Sequence, residues 1–210
     1  MKLAVRLFLF TLYFLFITLS HAQNPQPDWQ IIENYDDILV YSTAVDGSKI
    51  IKVKTEVTIA ASLESIRLIL DDAPRRHQWV PHLGHSKVLQ QLSNTERLEY
   101  SHFIAPWPAS DRDFVYRIHL QQQSDRQLIF QMRSEVNTLM PEQAGIIRAE
   151  LVESVYTMTA LSPKLTQVEL IFHADPKGWL PIWIINIIQR HLPFMMLKNL
   201  RARAERRKLW

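Results

Sequence analysis

Most of this chain alternates apolar and polar side chains with a period of two, and this pattern constrains its fold more than any other feature. Within residues 49–59, KIIKVKTEVTI, one face carries Ile51, Val53, Thr55, Val57 and Ile59. The alternation recurs in SKVLQQL, ERLEYSHFI, DFVYRIHLQ, QLIFQMRSEV, IIRAELVESVYTMTAL and TQVELIFHA. Such segments are strands with one buried and one solvated face. We therefore expect a curved antiparallel sheet, with a hairpin turn at DGS between ILVYSTAV and the 49–59 strand.

Three further segments have the spacing of helices. SLESIRLIL is predicted as a helix with Ser62 at its N-cap, and DWQIIENY as a short helix with Asp28 near its start. Residues 181–210 predict one long helix, in which Pro193 should cause a kink or break because proline removes a backbone donor. The expected fold is α/β of the α+β type, with a hollow between the bent sheet and the long C-terminal helix.

The N-terminus has the pattern of a secretory signal peptide. Lys2 and Arg6 precede the apolar run LFLFTLYFLFITL, and SHA offers small residues ahead of Gln23. We therefore predict a signal peptide at residues 1–22, a single domain at residues 23–210 and a periplasmic or secreted protein. The chain has no cysteine, so its core must hold it together without disulfides.

Positive charge is concentrated at the C-terminal end of the mature chain. Residues 189–210 carry a net charge of +6, whereas residues 23–188 carry −5. For an exported protein this asymmetry indicates transient contact with an anionic membrane surface rather than with nucleic acid. The residues predicted to make that contact are Arg201, Arg203, Arg206, Arg207 and Lys208.

Four ordered motifs connect this chain to a known family. They are RRHQWVP at 75–81, SDRDFV at 110–115, MPEQAGIIRAE at 140–150 and KGWLP at 177–181, the last followed by IIN. Together they resemble the START domain, the lipid-transfer domain of steroidogenic acute regulatory protein and its relatives. The resemblance implies a helix-grip fold, in which a bent antiparallel sheet wraps around a long C-terminal helix with an internal hydrophobic tunnel. It also implies a protein that carries one lipid and does not transform it, and we expect this protein to be a monomer.

The expected lipid-binding residues follow from the inward faces of the strands and from the resemblance. The apolar wall is predicted to contain Tyr116, Ile118, Phe130, Met132, Leu170 and Phe172, with Trp183 and Ile187 from the helix. The resemblance places the tunnel's acidic residue at Glu99, although strand alternation alone would turn Glu99 outward, and it places the usual arginine at Ile118. Arg148 is the leading candidate for the polar end of the tunnel. Arg112 belongs to Asp111-Arg112-Asp113, which is expected to be a turn-capping ion cluster or the tunnel rim.

An enzyme is the alternative class, because helix-grip proteins related to this family include polyketide cyclases and aromatases. The acid-base candidates would then be His102, Asp113, Tyr116 and Arg148. No nucleophile and base pattern accompanies them, so we predict a protein that is not an enzyme and needs no cofactor. The spacing of His77, His82 and His85 does not suit a metal site. Among the aromatic residues near loops, Trp179 is the strongest candidate for contact with a membrane.

Overall fold

The computed structural model describes residues 27–206 as ten strands, two α-helices and one short 3-10 helix. The strands are β1 (Gln30–Tyr35), β2 (Ile38–Val45), β3 (Ser48–Ile59), β4 (Leu83–Gln91), β5 (Glu96–Phe103), β6 (Asp111–Ser124), β7 (Gln127–Ser134), β8 (Ile146–Arg148), β9 (Glu150–Ser162) and β10 (Leu165–Asp175). The helices are α1 (Leu63–Asp71) and α2 (Ile182–Arg206), with the 3-10 helix at Ala73–Gln78. The predicted signal peptide, Arg207 and Lys208 lie outside the described residues.

The strands form one large sheet in the order β1-β2-β3-β10-β9-β7-β6-β5-β4. All neighbours in that order are antiparallel, whereas the short β8 pairs in parallel with the start of β6. The predicted hairpin joins β2 to β3, and the predicted helix α1 follows β3. Most strands that short turns connect pair side by side, whereas β3 pairs with β10 from the other end of the chain.

One predicted element has the wrong type. Residues 28–35 were expected to form a short helix, but Gln30–Tyr35 is the edge strand β1, with every residue exposed. It pairs with β2, and the register shifts between Ile31 and Glu33. Backbone hydrogen bonds to β2 stabilise this edge without burial of either face, so no burial periodicity distinguishes the segment from a helix.

The capping prediction for α1 is confirmed. The hydroxyl of Ser62 accepts a hydrogen bond from the backbone N–H of Ser65 at 3.2 Å. The helix buries Ile66, Ile69 and Leu70 and ends at Asp71. Pro74 then lies at the beginning of the 3-10 helix, where its missing N–H costs no hydrogen bond.

The long helix α2 is continuous from Ile182 to Arg206. Of the kink or break predicted at Pro193, the break does not occur, because Pro193 is buried inside the continuous helix. The C-terminal half of α2 and the apolar face of α1 fill one end of the concave sheet, where Leu197 and Leu200 are completely buried. Neither helix among residues 27–206 has the length and apolar character that a membrane crossing requires.

Candidate ligand-binding cavity

A cavity of about 460 Å³ lies between the concave face of the sheet and the N-terminal half of α2. Its size falls within the roughly 300–1,000 Å³ of small-molecule pockets. Strands β5, β6, β7, β9 and β10, the segment around the 3-10 helix and α2 between Ile185 and Met196 all contribute to its wall. Most of the lining side chains are apolar, so the cavity suits a largely hydrophobic ligand.

Five of the predicted site residues lie in this wall. They are Arg112, Tyr116, Met132, Phe172 and Ile187. Tyr116, Met132 and Phe172 lie at strand positions that the alternation predicted to point inward. Ile187 is on α2, and its side chain is more than half exposed, which places it where the cavity meets the surface.

Ile118, Phe130 and Leu170 do not line the cavity, although they were predicted to do so. All three are completely buried in the hydrophobic core. The strand register explains the difference, because Phe130 and Leu170 flank Tyr156 in a cross-strand row one step deeper than Met132 and Phe172. The cavity ends at about this row, where core packing takes over.

Arg148 and Trp183 also lie outside the wall. Arg148 donates two hydrogen bonds to Asp113, at 2.7 and 3.0 Å, and one to the backbone oxygen of Met140 at 3.1 Å. It therefore anchors β8 and the preceding loop to β6, and the prediction that it forms the polar end of the tunnel does not match its position. Trp183 is exposed on the first turn of α2.

The polar end of the cavity is built around a buried ion pair between Arg76 and Glu99. Their side chains are 6% and 0% exposed. Arg76 comes from the 3-10 helix, and its Nη1 donates to Glu99 and, at 2.9 Å, to the hydroxyl of Tyr116. Tyr116 also lies 2.7 Å from the hydroxyl of Ser101. Arg76, Tyr116 and Ser101 line the cavity, whereas Glu99 lies behind them.

The inward direction of Glu99 agrees with the family resemblance and not with strand alternation alone. Leu98, Glu99 and Tyr100 are all buried, so β5 is covered on both faces at this point. The loop before β8 contributes to the outer cover, since Gln143 donates a hydrogen bond to the hydroxyl of Tyr100 at 3.2 Å. Alternation in a strand identifies the buried face only where the other face is solvated.

The surroundings of this ion pair keep both groups charged. Burial acts to raise the pKa of Glu99, but Arg76 and Arg97 lower it below its ordinary value. Burial likewise acts to lower the pKa of Arg76, and Tyr116 and Glu99 together raise it above its ordinary value. Burial raises the pKa of Tyr116 to about 12, so its hydroxyl remains a hydrogen-bond donor at neutral pH.

The three charges of Asp111-Arg112-Asp113 have separate roles. Asp111 accepts a hydrogen bond from the backbone N–H of Ala105 at 2.9 Å, and its other oxygen is 2.9 Å from Nε2 of His102. Asp113 binds Arg148 on the side away from the cavity. Arg112 lines the cavity near its opening and donates to the backbone oxygens of Ser110 and Pro176. The cluster therefore caps the loop before β6, and its Arg112 lies in the cavity wall near the opening.

Sequence reasoning missed several polar residues of the wall, among them Arg76, Tyr156 and Gln189. Arg76 lies in the RRHQWVP motif, but no periodicity in the 3-10 helix indicates where its side chain points. Tyr156 was hidden in the alternating strand β9, whose other buried residues are Leu151, Ser154 and Met158. Gln189 interrupts the isoleucine-rich face of α2, and a single amide on an apolar helix face is the signal that could have identified it.

Several exposed apolar side chains lie within two residues of cavity-lining positions in the chain, or line the cavity themselves, and we call this group the aromatic rim. Its tryptophans are Trp107 in the loop before β6, Trp179 in the loop before α2 and Trp183 on α2, with exposures of 92%, 88% and 63%. Ile104, Ile187 and Ile188 are also exposed, and these three side chains line the cavity. The apolar wall of the cavity thus continues onto the surface.

The basic end of α2 lies far from this rim. Arg206 is 23 residues beyond Trp183 on the same helix, which corresponds to about 35 Å. Arg201 binds the carboxylate of Asp36 at 2.6 Å, and Arg203 donates to the side-chain oxygen of Gln78 at 2.8 Å. These arginines therefore attach α2 to neighbouring elements at the closed end of the molecule.

The histidines do not gather into a metal site within residues 27–206, where no three potential ligands come together. Nδ1 of His77 lies 2.9 Å from the backbone oxygen of Pro74. His85 stacks against the rings of Tyr100 and His102 on the outer side of β4 and β5.

A family model decides the relationship of this chain to known proteins. The START domain model matches residues 17–209. The chain belongs to the START domain family. An uncharacterized protein from Pseudomonas aeruginosa is 27% identical over 180 residues, which covers 86% of this chain and 88% of that protein. Mouse phosphatidylcholine transfer protein is 25% identical, covering 76% and 75%. Chicken mitochondrial steroidogenic acute regulatory protein is 27% identical, covering 86% of this chain and 66% of the relative.

Solved structures confirm the predicted helix-grip fold. The STAR-related lipid transfer protein from Xanthomonas axonopodis superposes with a TM-score of 0.74 at 27% identity, covering 84% of this chain and 98% of that one. Human STARD10 gives a TM-score of 0.80 at 20% identity, covering 87% and 75%. The Zhui aromatase/cyclase from a Streptomyces species is more distant, with a TM-score of 0.55 at 15% identity, covering 75% and 94%.

Proposed function

We propose that this protein binds one lipid molecule in the cavity beneath α2 and carries it between membranes. The observation that carries the proposal is the continuous apolar wall, which runs from the buried ion pair to the exposed aromatic rim. Binding of a hydrophobic molecule there is stabilised by roughly 25 cal/mol for each Å² of apolar surface that is removed from water. The named relatives that are lipid transfer proteins support the same function.

We also propose that the protein acts as a carrier and not as a catalyst. Of the four acid-base candidates, only Tyr116 lines the cavity, and its high pKa makes it a poor proton shuttle at neutral pH. His102 lies beside Asp111, and Asp113 is engaged by Arg148. A cyclase would need several polar groups directed at the ligand, and the wall of this cavity is largely apolar.

The aromatic rim is the proposed site of membrane contact. Exposed tryptophans favour the boundary between lipid tails and headgroups, because one part of the indole is apolar and its N–H is polar. A rim that inserts there would bring the cavity opening directly onto the lipid. The basic end of α2, with Arg201, Arg203, Arg206, Arg207 and Lys208, is a second proposed contact that would attract the protein to anionic membranes.

The proposed setting is outside the cytoplasm. The sequence pattern at residues 1–22 supports export, and the absence of cysteine from the chain is compatible with an oxidising compartment. Together with the cavity, this suggests a monomer that moves lipid in the periplasm or after secretion. Export is tested by comparing the mass and location of the full-length protein with those of a variant that begins at Gln23.

Mass spectrometry of material bound to protein purified without detergent tests lipid carriage. We expect one intact lipid per protein, and a substrate together with its product would instead indicate catalysis. Leu192→Trp fills the cavity from α2 and should abolish the bound lipid. Leu161→Trp adds the same bulk at an exposed position on β9 and should leave it unchanged. Equal lipid content in both variants would contradict the assignment of the cavity.

A further inference from the structure

One arginine in the cavity wall has no acidic partner. Arg112 is 7% exposed and lines the cavity near its opening. Its Nη1 donates to the backbone oxygen of Ser110 and its Nε to that of Pro176, whereas its Nη2 makes no hydrogen bond within residues 27–206. None of the ion pairs in that part of the chain includes Arg112. A buried charge of this kind is unfavourable unless something neutralises it.

The two aspartates that flank Arg112 in the chain are bound by other groups. Asp111 lies 2.9 Å from Nε2 of His102, and Asp113 accepts two hydrogen bonds from Arg148. Burial lowers the pKa of Arg112 below its ordinary value, whereas the hydrogen bonds from Asp113 raise the pKa of Arg148. The positive charge near the opening of the cavity is therefore poorly compensated by the protein.

A second buried polar group without a partner lies close to Arg112. Gln189 on α2 is 2% exposed and lines the cavity. Its Nε2 donates to the backbone oxygen of Ala174, two residues before the Pro176 that accepts a hydrogen bond from Arg112. Its Oε1 is buried and has no hydrogen-bond partner among the described residues. The end of β10 thus brings together an unused donor and an unused acceptor, both in the cavity wall.

We propose that the cavity takes a lipid with an anionic group, which binds Arg112 just inside the opening, and that a hydroxyl or amide N–H beside this group donates to Oε1 of Gln189. This inference rests on the proposed function and specifies the class and orientation of the lipid. A carboxylate or phosphate offers the acceptor oxygens that a guanidinium binds most strongly. Asp175, which precedes Pro176, does not compete for Arg112, because Lys177 binds it at 2.8 Å. The hydrocarbon of the lipid then fills the apolar remainder of the cavity.

A competition among three lipids with the same chain tests the selectivity. Purified protein is loaded at about pH 8 from cyclodextrin complexes that carry equal amounts of hexadecanoic acid, hexadecyl phosphate and methyl hexadecanoate, then re-isolated and analysed by mass spectrometry. We expect the preferred anion to exceed the neutral ester by about tenfold, the effect of one hydrogen bond to a charged group. The more abundant anion identifies the headgroup as carboxylate or phosphate. An ester that matches or exceeds both anions would overturn this inference and leave lipid carriage intact, and binding of none of the three would overturn both.

Arg112→Met connects the selectivity to the residue. This variant should lose the roughly tenfold preference for the anion while it still binds the ester, and Arg112→Lys should keep part of the preference because the charge remains. Arg133→Met, at an exposed position on β7, is the control and should keep the wild-type ratio. If Arg112 served only to hold the backbone at Ser110 and Pro176, Arg112→Met would lower the melting temperature and leave the ratio unchanged, which would overturn the inference.

The contact with Gln189 has its own test. The 2-hydroxy and 3-hydroxy derivatives of hexadecanoic acid place a donor at two distances from the carboxylate, and we expect one of them to exceed the parent acid by about fivefold. Gln189→Met keeps the length of the side chain but offers only a weak acceptor, so this advantage should disappear. Gln167→Met, at an exposed position on β10, is the control. Equal binding of all three acids by the wild type would show that Oε1 of Gln189 does not contact the ligand.

Discussion

Arg76 and Glu99 form an ion pair beneath the cavity floor, and neither side chain has appreciable access to water. The pair joins the 3-10 helix to β5 and holds Tyr116 in place at 2.9 Å from Nη1 of Arg76. The pair therefore holds the 3-10 helix against β5 and determines which polar groups lie at this end of the cavity. Removal of either partner would leave the other charge buried.

Glu99→Gln should destabilise the fold strongly at neutral pH. The substitution leaves Arg76 and Arg97 without their shared carboxylate, and loss of one partner of a buried pair costs roughly 3–5 kcal/mol. Urea unfolding at pH 7 measures the loss. Glu33→Gln, on the exposed edge strand β1, is the matched control and should change the free energy of unfolding by less than about 0.5 kcal/mol.

The same carboxylate should contribute to acid sensitivity. Its pKa in the folded protein is below the ordinary value of 4.5, so its stabilising effect is complete above about pH 4.5 and declines as the pH falls further. The difference in unfolding free energy between wild type and Glu99→Gln should therefore shrink between pH 7 and pH 3.5. A difference that stays constant over that interval would show that the charge of Glu99 is not what stabilises the fold.

Arg148→Met should reduce stability without changing which lipid is bound. Asp113 is 1% exposed and depends on Arg148, so we expect a loss of about 2–3 kcal/mol, reduced from the fully buried case because Arg148 is partly solvated. Arg133→Met, at an exposed position on β7, provides the control. Thermal unfolding and lipid mass spectrometry on the same samples separate the two effects. A changed lipid profile would show that Arg148 does belong to the binding site.

The two proposed membrane contacts respond differently to salt. Replacing Trp107, Trp179 and Trp183 by alanine should lower binding to neutral and anionic vesicles by at least about tenfold, because apolar contact is lost. Replacing Arg201, Arg203 and Arg206 by glutamine should lower binding only to anionic vesicles and only at low salt. Vesicle sedimentation at two ionic strengths distinguishes them. If the tryptophan variant binds vesicles as the wild type does, the aromatic rim is not a site of membrane contact.

The sequence predicted the inward face of the sheet but not the limits of the cavity. Period two correctly identified Met132 and Phe172, because side-chain direction in a strand depends only on local geometry. It could not exclude Phe130 and Leu170, since α1 and the C-terminal half of α2 decide where core packing ends. Sequence patterns could not identify Arg76 either, because the direction of its side chain depends on how the 3-10 helix packs beside β4 and on the ion pair with Glu99, 23 residues later in the chain.

Pro193 lies at the boundary between two functional halves of α2. Most α2 residues that border the cavity lie between Ile185 and Leu192, and Met195 and Met196 continue the wall for one turn past Pro193, whereas Leu197, Leu200 and Ala204 are embedded in the core. The helix continues through Pro193, but proline has no N–H to donate to the backbone oxygen of Gln189. We therefore expect the helix to be weakest near this point, so that its N-terminal half opens more readily than the packed remainder.

Pro193→Ala should slow lipid exchange by strengthening this boundary. Alanine restores the missing backbone hydrogen bond and is the residue most favourable to helices, so the melting temperature should rise or stay constant. Opening then requires an additional hydrogen bond to break, and we expect the exchange rate to fall by about tenfold while equilibrium affinity changes less. Stopped-flow transfer of a fluorescent lipid measures the rate, with Pro163→Ala in the β9–β10 turn as the control. Exchange at the wild-type rate in a stable Pro193→Ala variant would place the gate in the loops that carry Trp107 and Trp179.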